Sequence, residues 1–206
     1  MKFGIVLLAA GGSSRMGGQH KLLLPWGERT VIGQSLANAQ AAGTGAVVVV
    51  LGARAAEVQA ACPGASFVVN DQWASGMYGS VLRGIAALPG DTDAFFVALG
   101  DMPLVPPSAY AALMEVYRGQ PERIYIPTYE GRRGHPVLFP MSLAPQAPAE
   151  VSDAGLRGVI QANGARVVEV PVPYPGVCID VDTPEEYERN APARGESAPG
   201  TRKRWV

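Results

Sequence analysis

The sequence predicts an α/β domain of three layers, with helices on both faces of a mostly parallel sheet. Two observations predict it. Short apolar runs at 3–8, 46–51, 67–70 and 94–99 are continuous rather than alternating, as strands buried on both faces are. Between the runs lie segments with apolar residues at helical spacing, giving a βαβα order with right-handed crossovers expected. Sheets of this kind bind ligands outside the carboxyl ends of their strands. The loops after Leu8, Asn70 and Leu99 are therefore expected to share one crevice.

The elements follow in order. Residues 3–8 read as a buried strand. Thr30 is placed to cap a helix carrying Ile32, Leu36, Ala37 and Ala41, which ends near Gly43. Residues 46–51 include four consecutive valines and form a second buried strand. A short helix at 55–61 and a strand at 67–70 follow. A helix over 77–88 puts Val81, Leu82 and Ile85 on one face. Then come a strand at 94–99, a helix at 107–117 and a strand at 124–127. The second half is less regular. A turn at 131–134 leads into a strand at 137–139, and a helix at 152–163 has Gly164 at its C′ position. Strands are expected at 166–170 and 177–181. Thr183-Pro184-Glu185-Glu186 fits a capping box with proline at the first helical position. The last stretch, APARGESAPGTRKRWV, is rich in Pro, Gly and charge and reads as a flexible tail. This leaves one domain over 1–190 and a tail over 191–206.

Composition narrows the class. A chain of 206 residues, 48% hydrophobic and 17% charged, suits one soluble globular domain with ample length for a core. A formal net charge of −1 argues against a broad nucleic-acid or anionic-membrane surface, while leaving room for a local basic pocket. Cys62 and Cys178 stand far apart and make neither a disulfide framework nor a metal pair, so a reducing cytoplasm is expected. No apolar run approaches the ~18 residues needed to cross a bilayer. The opening could pass for a secretion signal, with Lys2 ahead of an apolar run. That run is short, is interrupted by Gly4 and is soon followed by Arg15 and Lys21, so it reads as a strand.

Five stretches carry candidate chemistry. The loop over 9–21 holds Gly11, Gly12, Gly17 and Gly18 together with Arg15 and Lys21. Glycines let backbone N–H groups approach a phosphate, and the two cations would neutralise it. Neither G-x-G-x-x-G nor the P-loop pattern fits, because Gly18 stands where the P-loop lysine would be. Asp101, in Leu99-Gly100-Asp101-Met102-Pro103, ends a strand beside a glycine, where it can hold Mg²⁺ or simply make a turn. Asp180 and Asp182 would point the same way on an extended strand, although Asp182 also precedes a capped helix. Gly131-Arg132-Arg133-Gly134-His135-Pro136 reads as a second anion-binding loop or as a basic hairpin turn. In NDQWASGMYGSVLRG, Asn70 ends a strand while Gly76, Ser80 and Gly84 keep the following helix start uncluttered.

In this order and spacing the five stretches resemble the MobA-like nucleotidyltransferase family, up to about Asn190. LAAGGSSRMG with Lys21 is similar to its signature loop and GDMP to its metal-binding motif. GMYGSVLRG, GRRGHPVLF and DVDTPEEY look most like its molybdenum cofactor cytidylyltransferase branch. The resemblance implies a Rossmann-like fold of the nucleotide-diphospho-sugar transferase type. It implies that the backbone of Leu8, Ala9, Ala10, Gly11 and Gly12 lines the nucleobase and ribose. Arg15 and Lys21 are then expected on the triphosphate, with Asn70, Gly76 and Ser80 helping to hold base and sugar. Asp101 is expected to bind Mg²⁺, Asp182 to complete the metal site and Asp180 to be a further partner. Arg133, Gly134 and above all His135 are expected to face a pterin acceptor, with Arg157 near the acceptor phosphate. Alanine at position 10, where guanylyltransferases of the family carry glycine, implies CTP.

The implied partners are CTP, a molybdopterin-type acceptor and, transiently, a molybdoenzyme or its maturation factor. No nucleic acid or membrane is expected, and a monomer or weak dimer is. The implied reaction needs no general base, because the acceptor phosphate is already mostly dianionic at neutral pH. GTP as donor, a sugar phosphate or methylerythritol phosphate as acceptor, and a non-catalytic delivery chaperone remain alternatives. A plain dehydrogenase is disfavoured by the failed dinucleotide fingerprint.

Overall fold

A computed structural model describes residues 1–13, 16, 18–144 and 155–192. Its elements, in chain order, are β1 (Phe3–Ala9), the two-stranded ribbon β2 (Pro25–Trp26) and β3 (Arg29–Thr30), α1 (Val31–Gln40), β4 (Ala46–Leu51), α2 (Ala55–Ala60), β5 (Ser66–Val69) and α3 (Met77–Ala86). There follow β6 (Ala94–Leu99), α4 (Pro107–Gly119), β7 (Ile124–Tyr129), β8 (Arg132–Arg133), β9 (Val137–Pro140), α5 (Gly155–Ala162), β10 (Val167–Pro171) and α6 (Pro184–Asn190).

The continuous apolar run of β1 lies inside the main sheet, between β6 and β4, in the order β10-β7-β9-β6-β1-β4-β5 with β8 paired to β7. β1 runs parallel to both β4 and β6. β4 and β5 are parallel, as are β7 and β10, whereas β9 is antiparallel to both neighbours. The sheet is thus mostly parallel, with its irregularity confined to the second half. Alternate residues of β1 serve opposite cores, as the two-residue period of a strand requires. Ile5, Leu7 and Ala9 pack with Ile32 and Leu36 of α1 and with Leu113 and Tyr117 of α4. Val6 and Leu8 pack with Tyr78 and Val81 of α3 and with Leu156 of α5. A β1 apolar on one face only would leave one helix layer without a floor.

Local signals act as expected at two helix starts. The Thr30 hydroxyl accepts from the Gly33 N–H at 3.1 Å. Thr183 and Glu186 complete a reciprocal capping box at α6. Gly84 does not serve the start of α3. It lies well inside the helix, where a Cβ would stand 2.2 Å from Val6 and 2.9 Å from Val50, and its absence lets α3 lie directly on the sheet.

Two expectations fail for nonlocal reasons. The stretch 177–181 is not a strand; a 3₁₀ turn over Pro175–Cys178 is followed by irregular chain. Its backbone groups are taken by loops instead of a ladder. The Val177 carbonyl accepts from the His135 N–H at 2.8 Å, and the Val181 N–H donates to the Asp101 carbonyl at 2.9 Å. Gly164 opens a 3₁₀ turn, Gly164–Arg166, and does not end a helix in the left-handed conformation. The predicted start of the helix at 152 and the tail from 193 onward lie outside the described residues. Among the described residues no helix is long and apolar enough to cross a membrane.

Candidate active site

Register places the site. Leu8 pairs with both Val50 and Leu99, so β1, β4 and β6 end together and release their loops side by side. The Gly100 N–H donates to the Leu8 carbonyl at 2.8 Å. A Cβ at Gly100 would fall 2.9 Å from that oxygen and 2.7 Å from Ile32, so glycine lets the chain turn there and present Asp101. The Ala53 N–H donates to the Ala10 carbonyl at 3.1 Å, tying the loop after β4 to the loop after β1.

Three segments then converge on one ion cluster. The Lys21 N–H donates to the Ser13 hydroxyl at 3.1 Å, which closes the opening loop. The Lys21 ammonium bonds the carboxylates of both Asp101 and Asp182. These side chains are only 15%, 16% and 20% exposed. Asp182 is held by the α6 cap, its N–H donating to Glu186 Oε2 at 2.9 Å. Burial is the largest influence on Lys21 and would lower its pKa. The two carboxylates together outweigh it and hold the ammonium above its ordinary range. One oxygen of Asp101, Oδ1, is buried with no hydrogen-bond partner. Asp180 stands beside this cluster rather than within it. Burial pushes its carboxyl up, its own backbone opposes this, and the Asp182, Asp101 and Glu186 charges push the same way as burial. Among the described residues no three His, Cys, Asp or Glu side chains form a cation cage, so the candidate metal donors are the Asp101–Asp182 pair.

The opening loop divides. Leu8, Ala9 and Ala10 are buried, whereas Gly11 and Gly12 are exposed, and a Cβ at Gly11 would meet nothing within 4 Å. Among the described residues of the loop, the open backbone positions are thus Gly11 and Gly18, where an added Cβ would meet nothing within 4 Å. Arg15 lies outside the described residues.

Asn70 and Ser80, expected to help hold base and sugar, are paired with each other. They are 1% and 2% exposed, and the Asn70 amide donates to the Ser80 hydroxyl at 2.9 Å. Asn70 Oδ1 accepts from the Gln72 N–H at 3.1 Å, so the pair shapes the turn from 70 to 76. Gly76, at φ 121° where glycine is favoured, joins a different group. With Arg133, Gly134, His135 and Arg157 it lines a cleft of about 780 Å³ whose remaining wall includes Tyr78, Val81, Ile126, Val137, Leu156 and Ile160. The four predicted acceptor residues thus come together, with Gly76 among them instead of beside Asn70.

His135 is fixed by its N–H bond to Val177, and its Nδ1 lies 3.4 Å from the Val97 carbonyl. Burial pushes its pKa down, opposed by that carbonyl and by the Asp101 and Asp180 charges, so the imidazole is neutral near pH 7. Arg133 pairs with Glu169 at 2.8 Å. Two residues beside the loop went unmarked in the sequence. His20 is 4% exposed and its ring faces the Gly11 backbone, and Trp73 is 37% exposed and lies against Gly12. An aromatic within a glycine-flanked loop was a usable signal for Trp73; nothing local marked His20.

A glycine loop, a lysine–aspartate cluster and an adjoining cleft meet at the carboxyl end of a mostly parallel sheet, on the fold of the nucleotidyltransferases. The chain belongs to the MobA-like NTP transferase domain family, whose sequence profile matches residues 5–167. It is 35% identical over 197 residues to nicotine blue oxidoreductase of Paenarthrobacter nicotinovorans, covering 89% of this chain and 94% of that protein. It is 26% identical over 185 residues to molybdenum cofactor cytidylyltransferase of Escherichia coli (strain K12), covering 88% and 92%. The crystal structure of Rv0371c from Mycobacterium tuberculosis H37Rv superposes with a TM-score of 0.76 at 30% identity, covering 91% of this chain and 96% of that one. A manganese complex of Rv0371C superposes at 0.73 with 28% identity, covering 92% and 97%. The sheet is that of the nucleotide-diphospho-sugar transferase fold.

Proposed function

We propose that the protein transfers a cytidylyl group from CTP to the terminal phosphate of a molybdenum-bound pterin. The observation that carries this reading is the Lys21 ammonium between Asp101 and Asp182, in a loop whose Gly11 backbone is open. An acceptor phosphate oxygen forms a bond to the α-phosphorus of the nucleotide, the bond from that phosphorus to the bridging oxygen breaks, and pyrophosphate leaves. The obstacle is repulsion between two polyanions.

Lys21, held protonated, supplies positive charge at the triphosphate. The Gly11 backbone can approach the phosphates without side-chain interference. The orphaned Asp101 Oδ1 and the paired Asp182 carboxylate are the hard oxygen donors that a divalent cation such as Mg²⁺ takes. Bound there, the cation would neutralise charge on the phosphates. Neutral His135, with Arg133 and Arg157, lines the cleft that would orient the acceptor. A phosphate dianion needs no general base.

Release of pyrophosphate from CTP, GTP, ATP or UTP, with the molybdenum cofactor as acceptor, tests the reading. CTP is expected to be used best. No release with any nucleotide would exclude transfer to this acceptor.

A second reading is favoured by the 35% identity to an oxidoreductase over 89% of the chain, together with the apolar wall of the cleft. Here the cleft takes a planar dye-like acceptor and the crevice a reduced nicotinamide nucleotide, which gives hydride to the dye. Loss of the nicotinamide absorbance with such a dye, without pyrophosphate release from any triphosphate, selects this reading.

A further inference from the structure

We infer that Trp73 is a positioning residue that holds the opening loop in shape for the nucleotide. The inference rests on the reading of that loop as the triphosphate site. Trp73 lies across two glycines, one in the loop after β1 and one in the loop after β4. A Cβ at Gly12 would stand 3.1 Å from Cη2 and Cζ3 of the ring, and a Cβ at Gly52 would stand 2.7 Å from the Trp73 Cβ. Gly52 in turn lies against Ala10, whose Cβ and carbonyl oxygen are each 2.7 Å from the same position. Trp73 thus bridges the loop after β4 and the loop after β1 from outside.

The ring is not there to fill the core. It belongs to neither of the two apolar clusters and is 37% exposed. It is nevertheless held in place. The Trp73 N–H donates to the Asn70 carbonyl at 3.2 Å, and the Asn70 N–H donates to the Leu51 carbonyl at 2.8 Å. Asn70 is itself locked by Ser80 and Gln72. This gives the inward-turned Asn70 a purpose: it carries the turn that aims the indole. Over Gly12 two ring carbons are the nearest atoms, and the Ala53 Cβ stands farther off at 3.9 Å. A loop that binds through backbone N–H groups loses entropy when a ligand orders it, and a rigid ring laid along its backbone meets part of that cost beforehand.

The test titrates CTP with Mg²⁺ into the wild-type protein, W73F and W73A, following binding by equilibrium dialysis and tryptophan emission in parallel. The other tryptophans are Trp26, which is buried, and Trp205 in the tail. Wild type is expected to bind with a change in emission. W73F is expected to bind within about threefold of wild type but without that change. W73A is expected to bind about tenfold more weakly, the scale of one lost aromatic contact, with an unaltered melting temperature. Wild-type affinity in W73A, or a full emission change in W73F, overturns the inference. If W73A does not fold, the emission of W73F decides. A wild-type protein that binds no triphosphate overturns the nucleotide reading itself, an outcome separate from either variant result.

Discussion

Lys21 and Asp182 are 161 positions apart in the chain, yet the ammonium of one bonds the carboxylate of the other, with Asp101 sharing the same ammonium. The lysine ends the opening loop and the aspartate abuts the last helix, so one cation joins the two ends of the fold. Removing it leaves two largely buried carboxylates facing each other. Lys21→Ala is expected to cost about 1–3 kcal/mol of stability and to weaken triphosphate binding. Added Mg²⁺ should restore part of the stability, because a cation can replace the lost charge. Thermal melts with and without Mg²⁺ check this, and unchanged nucleotide affinity would exclude a role for Lys21 at the phosphates.

Asp101→Asn keeps the shape of the side chain and removes its charge. Turnover is expected to fall at least about a hundredfold, the scale of losing one electrostatic contributor at a reacting phosphate. The melting temperature should not fall with it. Pyrophosphate release and a melting curve on the same sample check the pair of outcomes; near wild-type turnover would remove Asp101 from the mechanism.

Gly134 is enclosed by backbone. A Cβ there would fall 2.0 Å from the Val177 carbonyl oxygen, the atom that also accepts from the His135 N–H. Gly134→Ala must therefore displace His135 or the 3₁₀ turn. The expected result is a loss of about 1–3 kcal/mol and a raised KM for the acceptor, with CTP affinity unchanged. Denaturant unfolding and separate titration of the two substrates check it.

Both histidines make folding pH-dependent in the same direction. Burial lowers the His20 pKa, Arg54 and Lys21 add to this, and the Gly11 backbone and Glu57 oppose it. His135 is lowered by burial against the Val97 carbonyl, Asp101 and Asp180. With both folded values below the ordinary 6.5, the unfolded chain binds more protons between those values and 6.5. Stability is therefore full above about pH 6.5 and falls as the pH drops through the window below it. Urea unfolding across that window checks the sign. His20→Gln should flatten the slope, since it removes one of the two titrations.

What the sequence by itself determined is what lies within a few residues of its cause. The run at 46–51 is apolar on both faces, so a doubly covered strand follows from it. Thr30 and Thr183 each cap a helix through an N–H three residues on, and the signal and its partner are read in one glance along the chain. Tertiary structure alone decided the rest. The valines and isoleucine of 177–181 read as a strand, but the N–H of His135 and the carbonyl of Asp101 claimed their backbone partners. Asn70 and Ser80 lie ten positions apart, and the packing of the helix on the sheet brings them into a hydrogen bond. Nothing near Lys21 showed that two distant aspartates would share its charge, or that Trp73 would cover Gly12. Periodicity and capping are local physics, while charge pairing, burial and close backbone approach depend on which distant segments the sheet brings together.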